Sequence, residues 1–316
     1  MKTWICLRAA AAGVIAVMGV MGVMGVMGIA DAQAQGLPDV AVGRIERLPA
    51  MASRHVDPRH VDVWLPADYT PTKRYNVLYM QDGEMLFDAR KSWNKQAWDA
   101  HLAVARLVQQ GRIPDTLIVG VWNNGKYRHS EYFPEKALPF LPDALRAQFI
   151  DKGLQGLPRA DAYLRYLVDE LKPAIDARYA TRPGRDNTFV MGSSMGGMIS
   201  IYAMNEYPQV FGGAAGLSTH WVGSERPNAA LPLAAFSYLQ RHLADPATHR
   251  LYMDHGTTEL DAMYAPYQAF INQIVKDRGY TAANSMSRVF EGTGHNETAW
   301  AARLEIPLLF LMGAVK

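Results

Sequence analysis

The chain has 316 residues, 49% of them hydrophobic and 20% charged, with a formal net charge of +2. That balance excludes a disordered chain, and a near-neutral sequence without a basic run offers no electrostatic footprint for nucleic acid or an anionic membrane. The one cysteine, Cys6, stands at the N-terminus, so the rest of the chain has no thiol for a disulfide or a metal thiolate.

Lys2 and Arg8 open the chain and precede an apolar stretch from Ala9 to Ala30 that carries a Met-Gly-Val repeat. Ala30-Asp31-Ala32 and Ala32-Gln33-Ala34 both fit the small-residue cleavage rule. Residues 1–34 therefore read as a signal peptide for a periplasmic or secreted protein. The stretch is also long enough for an uncleaved anchor, but its glycines and the two sites favour removal. Residues 35–316 suit one α/β domain with a mostly parallel sheet, without a second domain, long linker or repeat.

His60 to Leu65 alternates like a half-exposed edge strand. Asn76–Met80 and Thr116–Val121 are near-continuous apolar runs, as central parallel strands require. Thr188–Met191, Gly213–Leu217, Arg250–Met253 and Ser287–Phe290 complete the predicted strands. Helical spacing covers Trp98–Val108, Ala160–Arg178, Gly196–Glu206, Pro266–Lys276 and Glu297–Leu311, with Pro307 expected to bend or end the last. From Trp122 to about Pro158 the chain follows no clean period. Connections of that length tend to be lids or binding loops. Its aromatic and amide content would suit a sugar or a phenolic ester.

Gly192-Ser193-Ser194-Met195-Gly196 lies between a buried strand and a helix, the context of a nucleophile elbow. So tight a turn needs glycine on either side of the serine and lifts Ser194 out of the sheet. A serine hydroxyl needs a base, and His295 follows the last strand on the glycine-rich loop Gly292-Thr293-Gly294. His220 and His255, which also follow strands, are its competitors. The loop Asp254-His255-Gly256-Thr257-Thr258-Glu259-Leu260-Asp261 offers the base three acids, and local sequence does not choose among them. Two N–H groups must hold the oxyanion. Met195 supplies one, and Gly83 permits a turn in which the N–H of Glu84 supplies the other.

These motifs resemble the esterase branch of the α/β-hydrolase superfamily, which includes S-formylglutathione hydrolases, enterochelin esterase-like proteins, feruloyl and acetyl-xylan esterases and the antigen 85 mycolyltransferases. The matching residues are Leu78-Tyr79-Met80-Gln81-Asp82-Gly83, Gly192 to Gly197, Tyr207-Pro208 with Phe211-Gly212, Asp254-x-Gly256-Thr257 and Gly294-His295. The resemblance implies an α/β-hydrolase fold and a serine carboxylic-ester hydrolase acting through Ser194, His295 and Glu259. Asp261 stays open as the alternative acid, because a glutamate at position 259, where many relatives have aspartate, is a departure. Trp122, Tyr127, Arg128 and Tyr132, with Trp221, could line the substrate groove. The expected partner is a small-molecule or carbohydrate-linked ester. This chemistry calls for no metal or organic cofactor. His55, Asp57, His60 and Asp62 fall on an edge strand and its approach, where polar residues belong anyway. Acyl transfer with the same triad, or carbohydrate binding on a decayed hydrolase scaffold, are the competing functions.

Overall fold

Runs of Val, Leu, Ile and Tyr bounded by turn residues set the strands, because a strand buried on both faces needs apolar side chains in succession. A computed structural model describes residues 36–313 except 49, 51, 225 and 226, so the proposed signal peptide lies outside the described residues. The strands are β1 (Arg44–Leu48), β2 (Val61–Leu65), β3 (Asn76–Gln81), β4 (Thr116–Val121), β5 (Thr188–Ser193), β6 (Gly213–Leu217), β7 (Arg250–His255) and β8 (Ser285–Val289). They form one sheet in the order β1-β2-β4-β3-β5-β6-β7-β8. The first three neighbours, β1, β2 and β4, pair antiparallel, and every pairing from β4 to β8 is parallel.

The expected half-exposed edge is corrected here. All five residues of β2 are buried, because β1 pairs along its outer side. Asp62, which the alternation turned toward solvent, accepts two hydrogen bonds from Arg47 at 2.6 and 2.7 Å and is wholly interior. β1 itself was not predicted, as five residues reading Arg-Ile-Glu-Arg-Leu carry little strand signal.

The helices are α1 (Ala100–Gln109), α2 (Arg128–Tyr132), α3 (Asp143–Gln148), α4 (Ala160–Arg165), α5 (Lys172–Arg178), α6 (Met195–Glu206), α7 (Ala230–His242), α8 (Ala265–Asp277), α9 (Glu297–Arg303) and α10 (Glu305–Met312). Two apolar clusters lie on the two faces of the sheet. One gathers α4 to α8 and the 122–158 excursion; the other gathers α1, α9 and α10. α6 is buried from Met195 to Asn205, as a helix apolar all round must be.

Three helical expectations change in detail. The predicted 160–178 helix carries a π-helical segment, Tyr166–Leu171, between α4 and α5. The predicted 297–311 helix divides at Leu304 rather than bending at Pro307. Pro307 has no N–H to give the carbonyl four residues back, at Arg303, and its ring crowds that carbonyl, so the break falls one turn upstream. α7 was not predicted; Pro232 sits in its first turn, where the missing N–H costs nothing.

The 122–158 connection is ordered into α2, a 3₁₀ segment (Glu135–Phe140) and α3 with a following π turn. Glu131 of α2, fully buried, meets Arg59 in a bidentate pair at 2.7 Å for each bond. That pair ties the excursion to the segment leading into β2.

Candidate active site

Ser194 stands between the end of β5 and the first residue of α6 with φ 55° and ψ −125°, a backbone conformation that costs a non-glycine residue of order 1–3 kcal/mol. Its neighbours enforce it. A Cβ on Gly192 would stand 2.6 Å from the Gly196 backbone, and one on Gly196 would stand 3.1 Å from both Gln81 and Asp82. Every residue of β5 and the start of α6 is buried except Ser194, which the turn lifts toward solvent. The N–H of Met195, at the first position of α6, has no intrahelical acceptor and lies at the positive end of the helix dipole.

Across the elbow, β3 runs into a 3₁₀ turn over Gly83–Met85. Gly83 lies against β4 so closely that a Cβ would come within 2.5 Å of the Gly120 carbonyl carbon. Asp82, just before that glycine, stands beside Gly196 of the elbow, and Glu84 follows it in the turn. Its carboxylate and that of Asp82 share the side-chain amide of Asn123, and Arg128 forms a bidentate pair with Asp82 at 2.7 and 2.8 Å. Burial and the neighbouring Asp82 push the Glu84 carboxyl up to about 8. Burial works against the Arg128 guanidinium, but Asp82 outweighs it and raises its pKa.

His295 stands between β8 and α9, where the sheet's parallel strands end. Its Nδ1 lies 2.6 Å from Asp261 Oδ1. Asp261 Oδ2 accepts from the Ser218 hydroxyl at 2.5 Å and from the Gly256 N–H at 2.6 Å. Burial alone would raise the Asp261 pKa; the bonds from His295, Ser218 and Gly256 hold it below the usual carboxylate range.

Glu259, expected to orient the ring, does not reach it. Its carboxylate accepts from the backbone N–H of His295 at 2.7 Å and packs on Gly294, where a Cβ would meet it at 2.5 Å. The turn decides this. Glu259 opens a 3₁₀ segment at φ 55° and points to the loop backbone, while Asp261, two residues on, points inward. Asp254 is also committed elsewhere. Buried, it takes Arg303 at 3.0 and 3.2 Å and the Tyr252 hydroxyl at 2.8 Å. Arg303 reaches on to Ser218 at 2.9 Å, so Asp254 braces the group that braces Asp261.

The expected substrate residues fall apart. Tyr127 and Arg128 are half-buried beside the β3 turn, with Arg159 over the Tyr127 ring at 4.0 Å. Trp122 is held by Asp62 at 3.0 Å and lies under Arg47. Tyr132 and Trp221 are core residues at 0% and 2% exposure, which takes them out of any groove wall. Two residues at the site gave no sequence signal. Trp93 is 81% exposed on a loop tied to the His295 segment by Asn94–Glu297 and Gln96–Thr298 bonds. Tyr264 lies edge-on to His295, 5.8 Å between ring centroids, with its hydroxyl 2.7 Å from His220 Nδ1.

The family model described as "Putative esterase" matches residues 53–311, which hold both strand-end loops and the elbow. The chain belongs to this esterase family. It is a carboxylic-ester hydrolase. The "Uncharacterized protein YbbA" of Bacillus subtilis (strain 168) is 24% identical over 263 residues, 81% of this esterase and 93% of that protein. An "Endo-1,4-beta-xylanase/feruloyl esterase" of Xylanibacter ruminicola is 24% identical over 276 residues, covering 84% of the esterase but 31% of the larger relative. Among solved structures, a ferulic acid esterase superposes with a TM-score of 0.61 at 18% identity, covering 86% of this chain and 98% of its own. The enterochelin esterase of Shigella flexneri gives 0.62 at 18% identity, over 87% and 60%. These neighbours share the α/β-hydrolase fold. Among the described residues no helix is long and apolar enough to cross a membrane.

Proposed function

We propose that this hydrolase is a serine esterase working through an acyl-enzyme on Ser194. The reading rests above all on the 2.6 Å contact of His295 with a buried, doubly braced carboxylate, on a loop at the same end of the sheet as the strained serine. Ser194 Oγ attacks the acyl carbon as His295 Nε2 takes its proton. The N–H groups of Glu84 and Met195 receive the oxyanion. Its collapse expels the alcohol, which leaves with the proton from His295. Water then enters by the same base and releases the acid. Asp261 holds the imidazole tautomer and offsets the imidazolium charge; Glu259 fixes the loop backbone.

For substrates we propose esters of phenolic acids or sugars. The feruloyl esterase relative, the ferulic acid esterase fold and the exposed Trp93 near the His295 loop support that class. Tyr127 and Arg128 are kept as lining residues beside the oxyanion turn. Residues 1–34 are proposed to export the enzyme to the periplasm or beyond.

Ser194→Ala tests the nucleophile. It should abolish covalent labelling by a fluorophosphonate and lower kcat by on the order of 10⁴ or more. Labelling that persists in the variant, or is absent from the wild type, would sink the assignment.

A further inference from the structure

The bonds around Asp261 converge on Ser218, which the catalytic steps above leave unused. Ser218 follows β6 at φ 45°, wholly buried, with its hydroxyl 2.5 Å from Asp261 Oδ2. Two more groups reach the same oxygen, Trp300 Nε1 at 2.9 Å and Arg303 Nη2 at 2.9 Å. The Ser218 backbone N–H donates to the Asp254 carbonyl at 2.9 Å and to its carboxylate at 3.2 Å, which fixes the left-handed turn.

Donor chemistry leaves one arrangement. An indole N–H and a guanidinium can only donate, so Trp300 and Arg303 occupy both lone pairs of the Ser218 oxygen. Its single proton then goes to Asp261 Oδ2. The Gly256 N–H binds Oδ2 as well, at 2.6 Å, and Oδ1 is left for His295 Nδ1, also at 2.6 Å. Donation into a hydroxyl strengthens the bond that the hydroxyl gives onward.

Trp300 and Arg303 stand three residues apart on α9, hence on one side of it, and α9 begins two residues after His295. Trp300 also lies edge-on to the His295 ring, 5.1 Å between centroids. Arg303 is anchored by Asp254 on β7 and by Thr293, 3.2 Å away in the His295 loop. One segment, residues 293–303, thus carries the base and reaches back through Ser218 to the acid.

We propose that Ser218 is a positioning residue for the triad: locked as a donor by Trp300 and Arg303, its hydroxyl holds the Asp261 carboxylate with Oδ1 toward His295. This rests on the reading of His295 and Asp261 as base and acid. The lock keeps the carboxylate from rotating as His295 gains and loses its proton, so the role extends to acylation and deacylation alike.

The test combines kcat on p-nitrophenyl acetate with the far-downfield proton NMR resonance of the His295 Nδ1–H, which reads the contact with Asp261 directly. Ser218→Ala should lower kcat about 10-fold, the scale of one hydrogen bond to a charged group, and move that resonance upfield. Trp300→Phe keeps a ring against His295 and removes one of the two donors. It should cost less than Ser218→Ala on both readouts and nothing further in the double variant, where no hydroxyl remains to lock. If Ser218→Ala does not fold, Ser218→Cys, close in size but a weaker donor, carries the comparison with the same direction on both readouts. Full kcat in Ser218→Ala, a lowered kcat with the resonance unmoved, or a Trp300→Phe loss that adds in full to Ser218→Ala would overturn the proposal. An Asp261→Asn variant that keeps both kcat and the resonance would instead remove the reading of the acid beneath it.

Discussion

Two carboxylates on one short turn divide the work at His295, and they can be told apart by kinetics. Asp261 meets the ring, so Asp261→Asn should cost roughly 10⁴ in kcat, as loss of a triad carboxylate does. Glu259 holds only the loop backbone, so Glu259→Gln should lower kcat far less and show first in the melting temperature. The opposite ranking would return the acid role to Glu259. Glu84 makes a separate, pH-dependent prediction. Its folded-state pKa of about 8 lies above the unfolded value of about 4.3. The native state thus binds the extra proton, so this group's contribution to stability is fully present below the unfolded value and lost as pH rises through the folded one. Glu84→Gln should therefore narrow the gap in melting temperature between about pH 5 and about pH 8.5. An unchanged gap would place the titration elsewhere.

At the scale of elements, the site is made by turns that fit only because glycine lets backbones touch. Gly83 seats the β3 turn on β4, and an alanine there would displace that turn and with it the N–H proposed as a donor at Glu84. Gly83→Ala should lower kcat with little change in KM, since an oxyanion donor acts mainly on the transition state. A rise in KM at constant kcat would argue against Glu84 as a donor. The elements that carry these turns were legible, because β3, β4 and β5 are apolar runs that no exposed segment would contain. β1 and α7 were not. A five-residue edge strand has little periodicity, and a helix with proline in its first turn hides its start.

At the scale of the whole molecule, buried ion pairs join segments far apart in sequence. Arg59 and Glu131, 2% and 0% exposed at their side chains, fasten the 122–158 excursion to the sheet. Removing one partner leaves a charge stranded in the core, so Arg59→Met should cost about 3–5 kcal/mol in urea unfolding. A loss under about 1 kcal/mol would mean that water reaches Glu131 freely. Export is a property of the whole chain too. Mass spectrometry of the periplasmic or secreted fraction should find a product beginning at Gln33 or Gln35, and full-length protein in the cytoplasm would reject it.

The sequence by itself determined the nucleophile candidate, its elbow, the base candidate and the α/β layering, because each follows from local constraints: glycine beside a tight turn, apolar runs for buried strands, a histidine on a strand-end loop. Which acid meets His295 was decided only in three dimensions. Glu259 and Asp261 are two residues apart, and the left-handed backbone at Glu259 turns one to the loop and the other to the ring. Burial was likewise a tertiary matter. Nothing local distinguishes Tyr132 and Trp221, which the core absorbed, from Trp93, which the loop left in solvent. Tyr264 reached His295 only because the segments after β7 and β8 lie side by side, a neighbourhood that sequence spacing does not encode.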